Sequence, residues 1–193
     1  RDLEIRGAGN LLGDEQSGHV AAIGFELYLD MLNEAIAQGS GEAEPEREAR
    51  VDIRVSAYIP SDYVPFEAAK IDLHRRIALA HDHEALSRLR SELEDRFGPV
   101  PEPVEALLRV QELRVRLRRL GAAAVAVHGG RLTIAPISLT SAQLRALREA
   151  HPQALYDSRA RTVTAPGGAA PTEQLETAAR LMEVLLATPA IAA

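Results

Sequence analysis

The chain has 193 residues, which allows one ordinary domain with an extension or two small domains. It contains no cysteine, which excludes disulfides and cysteine-ligated zinc and predicts a reducing, cytoplasmic location, and its longest apolar runs fall short of the ~20 residues of a membrane span. Its core must be aliphatic because aromatic residues make up only 4%, and its net charge of −6 argues against a free-standing nucleic-acid binder.

The first eighteen residues predict a shaped loop and not a flexible linker. The loop contains four glycines, at Gly7, Gly9, Gly13 and Gly18. Glycine adopts backbone angles that other residues avoid, so this stretch can turn sharply. Arg6 and Gln16 can form hydrogen bonds from the loop to phosphate or to another chain, and Leu11 and Leu12 can anchor it to a core.

Two common glycine-rich nucleotide motifs do not fit this loop. A dinucleotide fingerprint counted from Gly7 requires a sixth-position glycine, where this chain has Leu12. A P-loop requires Gly-Lys-Ser/Thr, but the single lysine of the chain is Lys70, far from the loop. We therefore predict that this chain by itself binds no nucleotide and no other cofactor.

An amphipathic helix is predicted directly after the loop. Residues 21–37 place apolar side chains at helical spacing, at Phe25, Tyr28, Leu29, Leu32 and Ile36. Gly39-Ser40-Gly41 and a charged, proline-bearing stretch follow and indicate a boundary. We therefore divide the chain into a loop-helix arm (1–38), a linker (39–50) and a C-terminal domain (51–193).

The domain is predicted to begin with a strand and three helices. Residues 51–59 largely alternate in hydropathy, which predicts a strand closed by Pro60. The helices are indicated by apolar residues at Phe66, Ala69, Leu73, Ile77 and Ala80, then at Leu86, Leu89, Leu93 and Phe97, then by the run 104–120. Asp82 is the predicted cap of the second helix, and Gly98 and Gly121 end the second and third.

The rest of the domain predicts hairpins and two further helices. His128-Gly129-Gly130-Arg131 lies between two short apolar strands and predicts a tight hairpin. A helix over 141–150 and a second hairpin pairing 155–156 with 162–164 follow. A closing helix capped by Thr172 runs through Leu186, with inward residues Leu175, Ala178, Met182 and Leu185. The fold class predicted is α+β: a helix-rich domain with a small sheet of short strands and hairpins, preceded by the loop-helix arm.

Three stretches carry a family resemblance. The first is RDLEIRGAGNLLGDEQSG (1–18) with the helix IGFELYLDMLNEA, and it resembles the TRG motif (translocation in RecG) shared by RecG and the bacterial transcription-repair coupling factors. The others are VSAYIPSDYVPFEAAKIDLHRRIA and LEDRFGPVPEPVEALL, which resemble the C-terminal domain of the coupling factors. The resemblance covers residues 1–120 and extends to the remainder by continuity. It implies that the chain, which opens on Arg1 inside the motif, is the C-terminal piece of a longer protein.

The resemblance implies a function for the parent protein and a role for each part of this chain. The parent would be an ATP-dependent double-stranded DNA translocase of helicase superfamily 2, which displaces stalled RNA polymerase and recruits UvrA for nucleotide excision repair. ATP and Mg²⁺ would bind upstream, so the fragment alone is not expected to be an enzyme. Residues 1–38 would couple ATP hydrolysis to translocation through Arg6 and Gln16. Residues 51–193 would pack against the N-terminal UvrA-binding region and the motor lobes and mask that region.

Other polar groups receive less specific predictions. His81-Asp82-His83 lacks a third and a fourth ligand nearby, so we predict a solvated turn and no metal site. Glu92, Glu94 and Asp95 are predicted to form a solvated helix face and not a catalytic carboxylate group. The serines of residues 51–193 suggest no histidine-acid partners, and we see no enzyme signature there.

The segment 108–161 is basic, with ten arginines against three acids. Five of them lie in one predicted helix, at Arg109, Arg114, Arg116, Arg118 and Arg119. At about 100° per residue they do not form one phosphate-binding stripe, so we expect some to pair with acids of neighbouring helices. A stand-alone nucleic-acid-binding module that uses this segment is the alternative function.

Overall fold

The computed structural model describes residues 49–188. The predictions for the arm, including Arg6, Gln16 and the four motif glycines, lie outside the described residues. The helices of the described part are α1 (Glu67–Ala78), α2 (His83–Phe97), α3 (Glu102–Leu120), α4 (Ser141–Ala150) and α5 (Pro171–Ala187). The strands are β1 (Arg50–Asp52), β2 (Ala124–His128), β3 (Arg131–Ala135), β4 (Leu155–Asp157) and β5 (Thr162–Pro166). None of the described helices is long and apolar enough to cross a membrane.

The five strands form one mixed sheet in the order β1-β2-β3-β5-β4. β1 runs parallel to β2, and every other neighbouring pair is antiparallel. Both predicted hairpins are present. At the β2–β3 turn, Gly129 and Gly130 have φ values of 56° and 73°, the left-handed geometry that a two-residue turn between right-twisted strands requires. Helices and a small sheet of short strands confirm the predicted α+β class.

Helix α3 separates two groups of buried side chains. One core joins the inner face of the sheet to the second half of α3 and to α5, through residues that include Val125, Ile134, Val163, Leu113, Leu117, Leu175 and Leu181. A second group of buried residues lies in α1, α2 and the first half of α3, and includes Leu73, Ile77, Leu86, Leu89, Leu93, Val104 and Leu107. These three helices contact one another. The domain therefore consists of an α1–α2 hairpin and a sheet layer that share one helix.

The predicted strand over 51–59 is too long. Only Arg50–Asp52 pairs with β2, opposite residues 124–126. Beyond it the alternation of buried and exposed residues continues to Ile59, but the chain leaves the sheet, and the Tyr58 amide donates to the carbonyl of Pro103 at 3.2 Å. Alternating hydropathy therefore indicated an extended backbone with one buried side and could not show how much of that backbone pairs.

Two predicted roles at helix starts are wrong. Phe66 is 70% exposed and precedes α1 in an extended conformation, so its side chain does not join the buried face of that helix. Thr172 is not the cap of α5, because the helix begins at Pro171. The Glu173 carboxylate accepts from the amides of Ala169 and Ala170 at 2.9 and 3.3 Å and satisfies donors there instead. The predicted inward residues of α5 are all buried.

The predicted helix ends at Asp82, Gly98 and Gly121 are confirmed, whereas α3 begins two residues before the predicted Val104 and α5 ends one residue after the predicted Leu186. The Asp82 carboxylate accepts from the amide of Ala85 at 2.7 Å and caps α2. Gly98 and Gly121 end α2 and α3 with φ of 86° and 63°, values that a side chain with a Cβ rarely adopts. These ends fix the lengths of α2 and α3, and so determine which of their side chains face one another.

Candidate interaction surface

Ion pairs join α1 to α2 on the surface of the helical hairpin. Arg76 of α1 binds both carboxylate oxygens of Glu92 of α2, one of them at 2.9 Å. Arg96, one turn further along α2, donates to the same carboxylate at 2.8 Å. The hydrogen bonds from Arg76, aided by those from Arg96, lower the pKa of Glu92 from 4.5 to about 2 although partial burial opposes them. Glu92 is therefore an ionised link between two helices and not a merely solvated side chain, which corrects the prediction for this residue.

A second set of ion pairs joins α2 to α3. Arg90 donates through Nε to the carboxylate of Glu105 at 2.8 Å, and its Nη2 forms an ion pair with the same oxygen at 2.6 Å. Its Nη1 also lies 3.5 Å from the carboxylate of Glu94, one turn away on α2. Because all three side chains remain accessible to water, a partner surface can compete for either charge.

Glu112 links three helices. Its Oε1 atom accepts from Arg116 at 2.8 Å and lies 3.2 Å from Nδ1 of His83, the first residue of α2. Arg116 also donates to the carbonyl of Ala179 in α5 at 2.8 Å. Through this set of contacts the hairpin, the shared helix and the closing helix are connected by charged side chains as well as by apolar packing.

Tyr63 holds the segment before α1 against the end of α2. Its hydroxyl lies 3.0 Å from the carbonyls of both Leu93 and Gly98, and its ring centroid is 5.8 Å from that of Phe97. The guanidinium of Arg96 lies over the ring of Phe97, 5.0 Å from the ring centroid. Burial raises the pKa of Tyr63, with a smaller contribution from the nearby carboxylates of Glu94 and Glu105.

Exposed apolar side chains concentrate in and around α1, one of the helices that these ion pairs join. The large hydrophobic residues exposed in the described part are Tyr58 (36%), Phe66 (70%), Ile71 (54%), Leu79 (40%) and Leu155 (62%). Four of the five lie between residues 58 and 79, in α1 and in the residues directly before and after it. Apolar groups surrounded by accessible charges are typical of protein contact surfaces. We therefore identify the outer surface of α1, α2 and the start of α3 as the candidate interaction surface.

Buried glutamines position α1 and α5. Gln111 donates from its amide to the carbonyls of Ala78 and Ala80, both at 2.9 Å, at the end of α1. Gln143 donates to the carbonyl of Leu185 in α5 at 3.0 Å. No prediction was made for Gln111, although a polar residue at helical spacing between Leu108 and Val115 is a visible signal in the sequence.

The arginine segment is dispersed, as its helical spacing predicted. Arg109 lies 4.0 Å from Glu176 of α5, which confirms that some of these arginines pair with acids of neighbouring helices. Arg116 donates hydrogen bonds to the carboxylate of Glu112 and to the carbonyl of Ala179. Arg118 and Arg119 are exposed at the end of α3. Within residues 49–188, no three histidine, aspartate or glutamate side chains are grouped where they could hold a metal ion.

Comparison with known proteins gives a consistent family assignment. Residues 53–146 match the family model described as the TRCF domain. The chain is 38% identical over 180 residues to the transcription-repair-coupling factor of Mycobacterium bovis, in an alignment that covers 86% of this chain and 14% of that protein. It is 40% identical over 124 residues to the transcription-repair-coupling factor of Staphylococcus aureus, covering 63% of this chain and 11% of that protein. The chain thus spans about one seventh or less of the length of these relatives.

A solved structure shows the same fold. The crystal structure of a C-terminal domain of transcription-repair coupling factor matches this chain with a TM-score of 0.64, covering 72% of this chain and 92% of that one. The sequence identity of the two is 22%, so the likeness concerns the fold alone.

Proposed function

Because the chain belongs to the transcription-repair coupling factor family, we propose that residues 51–193 are the C-terminal regulatory domain of such a factor. The parent protein in this proposal is an ATP-dependent double-stranded DNA translocase that displaces stalled RNA polymerase and recruits UvrA for nucleotide excision repair. The domain packs against the UvrA-binding region and masks it until the parent engages polymerase. ATP and Mg²⁺ belong to the motor of the parent and not to this chain.

The observation that carries the masking role is the chemistry of the candidate interaction surface. A masking contact must form and release, so it cannot resemble a fully apolar domain core. The candidate interaction surface meets that requirement because its ion pairs, such as Arg90 with Glu94 and Glu105, are accessible to water and can exchange partners. We place the masking contact on the α2–α3 side of this surface.

Residues 1–38 have a separate proposed role, in coupling ATP hydrolysis to movement along DNA. The support is the resemblance of the glycine loop to the TRG motif, with Arg6 and Gln16 as the coupling residues. Changing either residue to alanine in the parent should leave much of the ATP hydrolysis and abolish polymerase displacement. Intact triplex displacement by both variants would contradict the assignment.

The masking role is tested in the full-length parent. Removing the domain (51–193) should raise the affinity for UvrA or the basal ATPase rate, since the masked region becomes accessible. A gentler variant is Glu94→Arg, which reverses an exposed charge on α2 and should give part of the same gain. Its matched control is Glu183→Arg, an equally drastic reversal at an exposed position of α5.

Two outcomes would count against masking, and a third would leave the deletion as the deciding test. Unchanged UvrA binding and unchanged ATPase after deletion would remove the role altogether. A gain from Glu183→Arg as large as that from Glu94→Arg would show a general charge effect. A loss of the folded far-ultraviolet spectrum in Glu94→Arg would point to unfolding, in which case the deletion result alone decides.

The alternative function, a nucleic-acid-binding module, is favoured by the exposed arginines of the basic segment. Those that are exposed include Arg118, Arg119, Arg131, Arg145, Arg148 and Arg159. Neutralised phosphates dominate DNA affinity, so such a module must bind short duplex more tightly as salt is lowered. A salt-dependent gel shift with the 193-residue chain would support it, and no shift at low ionic strength would exclude it.

A further inference from the structure

The outward face of α1 carries an unpartnered stripe within the described residues. Ala68, Ile71 and Arg75 follow one another at intervals of three or four residues along one side of the helix, and Leu79, the residue that caps its end, continues the series. All four are exposed, with Ile71 at 54% and Leu79 at 40%. The opposite side of α1 is used for packing, since Leu73 and Ile77 are buried.

Charge along this face changes sign from one end of α1 to the other. Glu67 in the first turn is paired with Lys70, Asp72 lies at the middle of the helix, and Arg75 and Arg76 lie in the last turn. Asp72 is exposed. Its Oδ2 atom lies 3.8 Å from Nη1 of Arg76, whose main partner is Glu92. The outer face of α1 is therefore complementary to itself when two copies run in opposite directions.

We infer that α1 pairs with α1 of a second copy of this chain, antiparallel and about a two-fold axis. A two-fold contact requires each residue to meet its counterpart in reversed order. An axis midway between Leu73 and His74 brings Asp72 opposite Arg75 of the second copy, twice by symmetry. The same axis brings the small Ala68 opposite Leu79, and antiparallel helix dipoles add a favourable term. Ile71 comes opposite Arg76 of the second copy, whose side chain is 39% exposed and offers its aliphatic part to the contact.

The size of the stripe makes this a weak interaction. Helix α1 has 12 residues and is about 18 Å long, so two copies bury much less surface than a standard stable interface. We expect a dissociation constant of about 100 μM, which corresponds to a reversible dimer in concentrated solution. This contact is independent of the masking contact on α2 and α3, and neither requires the other.

The test is sedimentation equilibrium of the 193-residue chain from about 10 μM to 1 mM. Ile71→Glu should abolish the dimer. Asp72→Arg and Arg75→Asp should each weaken it roughly tenfold, because each places like charges opposite one another twice. The double variant Asp72→Arg/Arg75→Asp should regain wild-type association, since the two charges have exchanged places and every pair is again of opposite sign.

The matched control is Leu155→Glu, which changes an equally exposed apolar residue on β4 and should leave the dimer unchanged. A chain that stays monomeric up to 1 mM overturns the inference. So does a double charge reversal that associates no better than the single ones, or a Leu155→Glu variant that dissociates the dimer as Ile71→Glu does. Far-ultraviolet circular dichroism of each variant separates loss of pairing from loss of folding.

Discussion

At the scale of single residues, the hairpin is attached to the shared helix by a few buried or ionised groups. Gln111 is almost fully buried, and its amide is the donor that satisfies two carbonyls where α1 ends. An unsatisfied buried carbonyl costs about 1–3 kcal/mol, so this side chain is a structural requirement for the position of α1. The surface pairs contribute less to stability, because water and salt screen them.

Glu92 predicts an acid sensitivity with a defined direction. Its pKa is about 2 in the folded chain against 4.5 ordinarily, so the unfolded chain binds the proton first as the pH falls. The stabilisation of the folded chain by ionised Glu92 is complete above pH 4.5 and is lost as the pH falls from 4.5 to about 2. Urea unfolding across this range should show a smaller decrease in the unfolding free energy for Glu92→Gln than for the wild type.

Arg76→Gln provides the check on that cause. Removing the principal donor returns the pKa of Glu92 towards 4.5, so this variant should also lose part of the acid dependence, with the remainder due to Arg96. If the wild type and both variants lose stability in parallel as the pH falls, the pairing of Arg76 with Glu92 is not the cause of the acid sensitivity.

At the scale of elements, the β2–β3 hairpin depends on backbone conformation and not on space. A Cβ at Gly129 or Gly130 would meet no atom within 4 Å, yet both residues have positive φ. Gly130→Ala should therefore cost about 1 kcal/mol through the backbone alone. Gly129→Asn should change stability by less than about 0.5 kcal/mol, because Asn-Gly is a favoured sequence for this turn. Urea denaturation measures the free energy of unfolding of both variants. Equal decreases in the two variants would contradict the argument from backbone conformation.

Elements determined by neighbouring residues were predictable from the sequence. The turn at Gly129-Gly130 and the ends of α2 at Asp82 and Gly98 depend on side chains within a few positions, and all were predicted. The pairing of β1 with β2 joins residues more than 70 positions apart, and local alternation over 51–59 could not limit it to three residues. The exposed position of Phe66 likewise depends on where α1 begins.

The candidate interaction surface was less predictable for the same reason. Arg76 and Glu92 are 16 positions apart, and Arg116 is 63 positions from the carbonyl of Ala179. Neither pair has a periodic signature, because each depends on how two helices cross. The residues singled out by the resemblance, Arg6 and Gln16, lie outside the described part, and their role remains a prediction.

At the scale of the whole molecule, the two groups of buried side chains within residues 49–188 share α3, which predicts separable unfolding. Leu93 and Leu181 are both fully buried, one in the hairpin and one in the sheet layer. Each change to alanine should cost about 3 kcal/mol. Leu93→Ala should mainly raise amide exchange in α1 and α2, and Leu181→Ala should mainly raise it in the sheet and α5. Hydrogen exchange measured residue by residue would detect the difference, and identical patterns in both variants would show a single cooperative unit.

The shared helix also limits which changes in chain length the domain can accept. Side chains at the start of α3, such as Leu107, face the hairpin, and side chains further on, such as Leu113 and Leu117, face the sheet layer. One extra residue between Leu108 and Leu113 would rotate one group by about 100° relative to the other and advance it by about 1.5 Å. Insertions in the surface loops change no such angle. The spacing inside α3 is therefore a fixed dimension of this domain, whereas its connecting loops are free to vary.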